Sequence, residues 1–165
     1  EMCIRDRYNS ILLAGFMMNT LEKIHDMWKK DAPIDDMRLD ESSRESAKLH
    51  AKYLEIHSVN KIKLKKLELD FKVILRDKFM HYNGKLSKEE MDDKGWDYDP
   101  LNGLTVLKGD MDKWYDADPL IQEHQAKMEY QKEICDTLKE IMENIKWRHQ
   151  NIKNMIEWRK FTSGI

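Results

Sequence analysis

Four cations on one predicted helix, Lys61, Lys65, Lys72 and Arg76, have the types and spacing that suggest chemistry. At about 100° of rotation per residue they fall in an arc about 60° wide. Cations strung along a rod suit phosphates strung along a strand. Each neutralised phosphate releases counterions, so such binding weakens steeply with salt. A solvated helix face usually intersperses acids, and only Glu68 and Asp77 lie near this line. An acidic segment of a neighbouring subunit is the other partner that would satisfy the same stripe. Rings lie close by at Phe71, Phe79, His81 and Tyr82. Unpaired bases stack on such rings for ~1–3 kcal/mol each. Phe71 sits on the apolar seam of the helix, so His81 and Tyr82 at its end are the better candidates to meet a base. No element resembles a reader of base edges, and weak sequence preference follows.

Other chemistry is missing from the sequence. There is no GxxxxGK[ST], GxSxG or HExxH. The six histidines are scattered, and none has metal-ligand spacing with a cysteine. Asp92, Asp93, Asp97 and Asp99 lack the order of a calcium loop and read as solvated. Cys135 falls within a helical apolar period and reads as a core thiol. The expectation is a protein that is no enzyme and carries no cofactor or metal.

The elements that must position the cations are helical. The chain has 165 residues, 36% of them charged, with 6 glycines, 3 prolines and 2 cysteines. That length predicts about one domain, and two cysteines cannot staple a secreted scaffold. No apolar run approaches the ~18 residues of a membrane span. The net charge of −2 looks unfavourable for a polyanion partner, but it averages two unlike blocks. Residues 44–88 hold 12 basic and 5 acidic side chains, whereas 89–129 hold 4 basic and 12 acidic. A basic block followed by an acidic one suggests a polyanion-binding face and an acidic loop.

Asn19 followed by Glu22 predicts a helix start, and Pro33 ends that helix. A long helix is expected from about Leu39 to Tyr82. Leu49, Tyr53, Ile56, Asn60, Leu64, Leu67, Phe71 and Ile74 step by three and four, with one irregular step at Asn60. Ile62, Leu69, Val73 and Met80 form a second apolar line, so the cation stripe is flanked by two packing faces. Gly84 is placed to terminate the helix. Residues 85–117 lose the period and read as an acidic, irregular segment, with Leu104-Thr105-Val106-Leu107 as one possible short strand. Asp118-Pro119 starts the last helix. Its stripe is Ile134, Leu138, Ile141, Ile145, Arg148, Ile152 and Met155, thickened by Met142, His149 and Ile156. A helix of about 40 residues is roughly 60 Å long, more than so small a chain is expected to cover. Ile134, Leu138, Ile141, Ile145, Ile152, Met155, Ile156 and Trp158 are therefore assigned to contacts between copies. Residues 1–17 read as an extension outside the domain, without the apolar core or cleavage site of a signal peptide. The domain is 18–165: helices to 84, acidic loop 85–117, last helix 118–165. The fold class is mostly α with coiled-coil-like packing.

One ordered set of residues runs Leu21-Glu22, Lys29-Lys30-Asp31, Ile34-Asp35, Tyr53-Leu54, His57-Ser58 and then Leu75 to Gly84. At the C-terminus it continues with Ile145-Lys146, Arg148, Ile152-Lys153, Glu157, Arg159, Phe161 and Gly164. On these residues, between 18 and 165, the chain resembles the UvsY family of phage recombination mediators. In the Leu75–Gly84 run, Arg76 and Lys78 fill the family's basic-x-basic element, and His81 replaces the first of its aromatic pair. The resemblance implies a ring-shaped homo-oligomer of six or seven subunits that binds single-stranded DNA. It also implies a role in loading a RecA-like recombinase in place of single-strand-binding protein, in the cytoplasm of an infected bacterial host. Lys78 joins the DNA-contacting residues by this motif alone, since the helical wheel places it near the apolar seam. The rival reading is an oligomeric coiled-coil structural or adaptor protein whose basic stripe meets a neighbour's acidic loop.

Overall fold

The computed structural model describes residues 20–104, 106–107 and 109–164. The expected extension at 1–17 and the cap at Asn19 lie outside them. Among the described residues five helices follow in order: α1 (residues 20–31), α2 (Leu39–Tyr82), α3 (Lys88–Lys94), α4 (Met111–Ala117) and α5 (Pro119–Ser163). No strand occurs among the described residues. Leu104, Val106 and Leu107 are not in a strand, and Thr105 lies outside the description. The segment expected to be irregular contains α3 and α4, each of 7 residues. The sequence holds a local reason for α3. Ser87 Oγ accepts from Glu90 N–H while Glu90 Oε2 accepts from Ser87 N–H, at 3.2 and 3.0 Å. Gly95 closes the helix at φ 64°.

The described residues group into two units. The first comprises α1, α2 as far as Lys61, and α5 from Lys132 onward. Its core is Ile24, Leu39 and Tyr53 with Ile134, Cys135, Leu138, Ile141, Met142, Ile145 and Ile152. The α5 stripe assigned from sequence to contacts between copies is thus largely consumed inside the chain. Ile134, Leu138, Ile141, Ile145 and Ile152 are each at most 4% exposed. Helix α1 and the first part of α2 supply the cover that the length of α5 alone does not account for. Only the outer residues of the assignment stay open: Ile156 and Trp158 are exposed, as are Trp147 and Phe161, and Met155 is half-buried.

Two polar anchors hold this unit. The Asp31 carboxylate accepts from the Tyr53 hydroxyl at 2.9 Å and from Lys52 Nζ at 2.6 Å. Burial pushes its pKa up, but those two donors and the nearby Arg148 overcome this and hold it below the ordinary value. Arg148 breaks the apolar period of α5 for a reason visible only in three dimensions. Its guanidinium donates to the carbonyls of Ala32 at 2.6 Å, Pro33 at 2.8 Å and Asp31 at 3.4 Å. It thus supplies the donors that the C-terminal end of α1 lacks, with charge of the favourable sign. Its Nε is buried without a partner, which offsets part of the gain. Arg148→Met is expected to cost about 2 kcal/mol in urea unfolding, and Arg148→Lys less. A methionine variant as stable as the parent would remove this role.

The second unit spans residues 62–131. Here α2 ends as expected at Gly84. The N–H of Gly84 donates to His81 O at 3.0 Å, that of Lys85 to Met80 O at 2.8 Å, and Gly84 takes φ 63°. Met91, Leu101, Met111 and Ile121 form the apolar core. Asp77, Lys78, His81 and Asp118 are buried beside them.

Candidate nucleic-acid interface

Helix α2 presents the predicted cations unequally. Lys61, Lys65, Lys72 and Arg76 are all exposed. Lys65, Lys72 and Arg76 belong to the second unit, and Lys61 is the last α2 residue of the first. Lys61 and Lys72 make no ion pair among the described residues. Lys65 Nζ bonds Glu68 Oε2 at 2.9 Å, an exposed pair worth little, and it holds the Glu68 carboxyl below its usual range. The Arg76 fork donates to Asp77 Oδ1 through Nε at 2.9 Å and Nη2 at 2.6 Å, yet its side chain is 71% exposed. Asp77 is shared with Lys94 at 2.8 Å. That hydrogen bond, followed by the one from Arg76, outweighs the upward push of burial and keeps the carboxyl low. Ile62, Leu69 and Val73 run beside the cations and are 72%, 53% and 49% exposed. The line read from sequence as a second packing face is therefore open as far as Val73, and its last member, Met80, is half-buried.

Lys78 differs from its sequence assignment. It is buried, and its Nζ lies 2.8 Å from Asp118 Oδ2 and 4.3 Å from the centroid of the Trp96 ring. Its position near the apolar seam of α2 places it inward, and no phosphate reaches an ammonium held there. His81 also turns inward. Its Nε2 donates to the Asp97 carbonyl at 2.7 Å and its ring lies 5.0 Å from Trp96. Its Nδ1 is buried without a partner. Tyr82 is half-buried and its hydroxyl donates to Asp118 Oδ2 at 2.6 Å. The end of α2 is thus a structural hub rather than an open row of cation and rings. Trp96 and Asp118 are the hub residues that sequence reasoning missed. Asp118 carried a signal for its capping role only, and Trp96 lay in the segment without a period.

Asp118 accepts four hydrogen bonds. Oδ1 takes the N–H groups of Leu120 at 2.9 Å and Ile121 at 3.2 Å, capping α5. Oδ2 takes Lys78 and Tyr82. Burial raises the Asp118 pKa, but Lys78, Tyr82 and the Ile121 N–H together bring it below the usual carboxylate value. Burial and the same hydrogen bond push the Tyr82 hydroxyl up. Among the described residues no group of histidines, cysteines and carboxylates has the arrangement of a metal site, and no helix is long and apolar enough to cross a membrane.

The chain belongs to the UvsY family, described as recombination, repair and single-stranded-DNA-binding proteins, whose model matches residues 27–165. It is 26% identical over 145 residues to the recombination protein uvsY of Enterobacteria phage T4, covering 87% of this chain and 98% of that protein. Two crystal forms of the T4 recombination mediator protein UvsY share the fold, with TM-scores of 0.73 and 0.74 at 23% identity. They cover 86% of this chain and 96% and 98% of theirs.

Proposed function

We propose that this chain binds single-stranded DNA along the outer face of α2. In that role it acts as a recombination mediator, helping a RecA-like recombinase replace single-strand-binding protein. The observation that carries the reading is the exposure of Lys65, Lys72 and Arg76 on one helix of a protein whose family is described as binding single-stranded DNA. Lys61 continues the line. Lys78, His81 and Tyr82 support the end of α2 from inside and are left out of the phosphate-contacting set. Exposed Trp147, Ile156, Trp158 and Phe161 on α5 support self-association, and a ring would multiply weak contacts through effective concentration.

A titration of the full chain with single-stranded DNA at two salt concentrations tests the reading, with subunit count measured alongside. With three to four phosphates neutralised per subunit, the logarithm of affinity is expected to fall with the logarithm of salt at a slope of about −2 to −3 per subunit. Absence of binding at low salt would leave the structural or adaptor reading, which the open apolar line Ile62, Leu69 and Val73 also favours.

A further inference from the structure

The second unit contains a cleft of about 290 Å³ between the end of α2 and the turn at 98–104, with His81, Asn83, Tyr98, Asp99, Leu101 and Leu104 among its lining residues. Its outer wall is preformed. Asp99 Oδ1 accepts the Gly103 N–H at 3.0 Å, and Leu104 N–H donates to Leu101 O at 3.1 Å. Asn102 and Gly103 take φ 50° and 78°, the left-handed turn that lets the chain fold back on Asp99. Leu101 is buried, while Tyr98 and Leu104 leave 59% and 68% of their surface open on the lip.

Acceptors lead among the side-chain groups of the lining. Asn83 Nδ2 gives one N–H to the Phe79 carbonyl at 2.7 Å, and Asn83 Oδ1 stands beside it as an acceptor. Asp99 keeps its second oxygen. His81 Nδ1, on a residue 5% exposed, is buried without a hydrogen-bond partner, while Nε2 donates to the Asp97 carbonyl at 2.7 Å. The Tyr82 and Tyr98 hydroxyls already donate, to Asp118 and Asp92. Among the described residues no lysine or arginine lines the cleft, and Asp99 repels anions, so a phosphate is a poor fit. The complementary ligand has a flat apolar face for Tyr98 and N–H donors on its edge. Asn83 lies seven residues beyond Arg76, about 10 Å along the helix, within reach of the same strand.

We propose that this cleft is a subsite for one unpaired nucleobase carrying an amino group, stacked on Tyr98 with its N–H edge toward Asp99 and Asn83. The subsite rests on the single-stranded-DNA reading above. It predicts a preference for cytosine, adenine or guanine over thymine, which has one ring N–H and no amino group.

Binding to a cytosine oligomer and to an abasic oligomer of equal phosphate count separates the two readings. The parent is expected to favour the cytosine strand about 10-fold, as base stacking on one ring allows. Tyr98→Ala is expected to reduce this to about 2-fold or less with abasic binding unchanged, and Asp99→Asn, which keeps the ring but weakens the acceptor for the amino group, to reduce it in part with abasic binding equal or slightly stronger. Tyr98 is open to solvent, and asparagine keeps the Oδ1 that holds Gly103, so neither variant removes the turn. If the parent binds neither strand, both readings fall. If it binds both strands equally, the subsite falls and the DNA reading stands. Full base preference in both variants would place the base elsewhere and overturn the subsite. So would an arginine peptide that binds the parent through Tyr98 while the base preference persists, since the cleft would then serve a guanidinium.

Discussion

Asp118→Ala is expected to destabilise the second unit by about 3–5 kcal/mol, the cost of leaving a buried charge without its partner. The carboxylate holds four donors at once, so the alanine strands the Lys78 ammonium, the Tyr82 hydroxyl and two N–H groups of α5. Lys78 keeps only the face of Trp96 and of Tyr82, and a cation over a ring recovers about 1–2 kcal/mol. Lys78→Met is expected to cost less, about 2 kcal/mol, because the Asp118 left behind retains three donors. Asp118→Asn falls between: it caps a helix about as well but brings no charge to Lys78. Urea unfolding of the three variants gives the order directly. An alanine variant within about 1 kcal/mol of the parent would mean that water replaces the carboxylate and that the hub is not buried as described.

The same carboxylate makes stability depend on acid. Its folded pKa lies below the unfolded value near 4, so the unfolded chain takes up its proton first as pH falls. The contribution is complete above that range and disappears as pH falls through the lowered folded value. Asp31 and Asp77, also lowered, act with the same sign in their own units. Unfolding midpoints measured from pH 6 to pH 3 are expected to drop for the parent and to drop less for Asp118→Asn. An unchanged slope in that variant would show that Asp118 is not held low.

Much of this architecture follows from local signals. The bounds of α2, the glycine stop at 84 and the start of α5 at Asp118-Pro119 each depend on a few adjacent residues. Whether an apolar stripe packs on its own chain or on another does not. Ile134, Leu138 and Ile145 read identically in both cases, and only the return of α1 and α2 against them decides it. The cation line shows the same limit. The wheel placed Lys78 inward and the family motif placed it on DNA; the structure follows the wheel, because its partner Asp118 lies 40 residues away in sequence. The short helix α3 is legible in the Ser87 and Glu90 capping pair, a two-residue signal set among aspartates that by themselves indicate a solvated loop. The cleft at Tyr98 had no signal, since its walls come from a helix end and a turn joined only by the fold.

Lys65→Ala, Lys72→Ala and Arg76→Ala combined are expected to weaken single-stranded-DNA binding about 100-fold at 0.1 M salt. Each phosphate contact on a single strand contributes a salt slope of about −0.7, which at 0.1 M corresponds to about 5-fold in affinity. Three lost contacts therefore give about two orders of magnitude and reduce the slope by about 2 per subunit. Little stability goes with them. The three side chains are exposed, the Lys65–Glu68 pair is a surface pair, and Asp77 retains Lys94 when Arg76 is removed. Lys139→Ala, Lys146→Ala and Lys153→Ala on α5 remove the same charge from exposed positions and serve as the control. If α2 is the track for the strand, the first triple variant loses affinity and slope while the control loses little. Equal losses in the two would mean that net charge alone governs binding. Unchanged affinity and slope in the first would move the phosphate contacts off this face and leave its lysines to a protein partner.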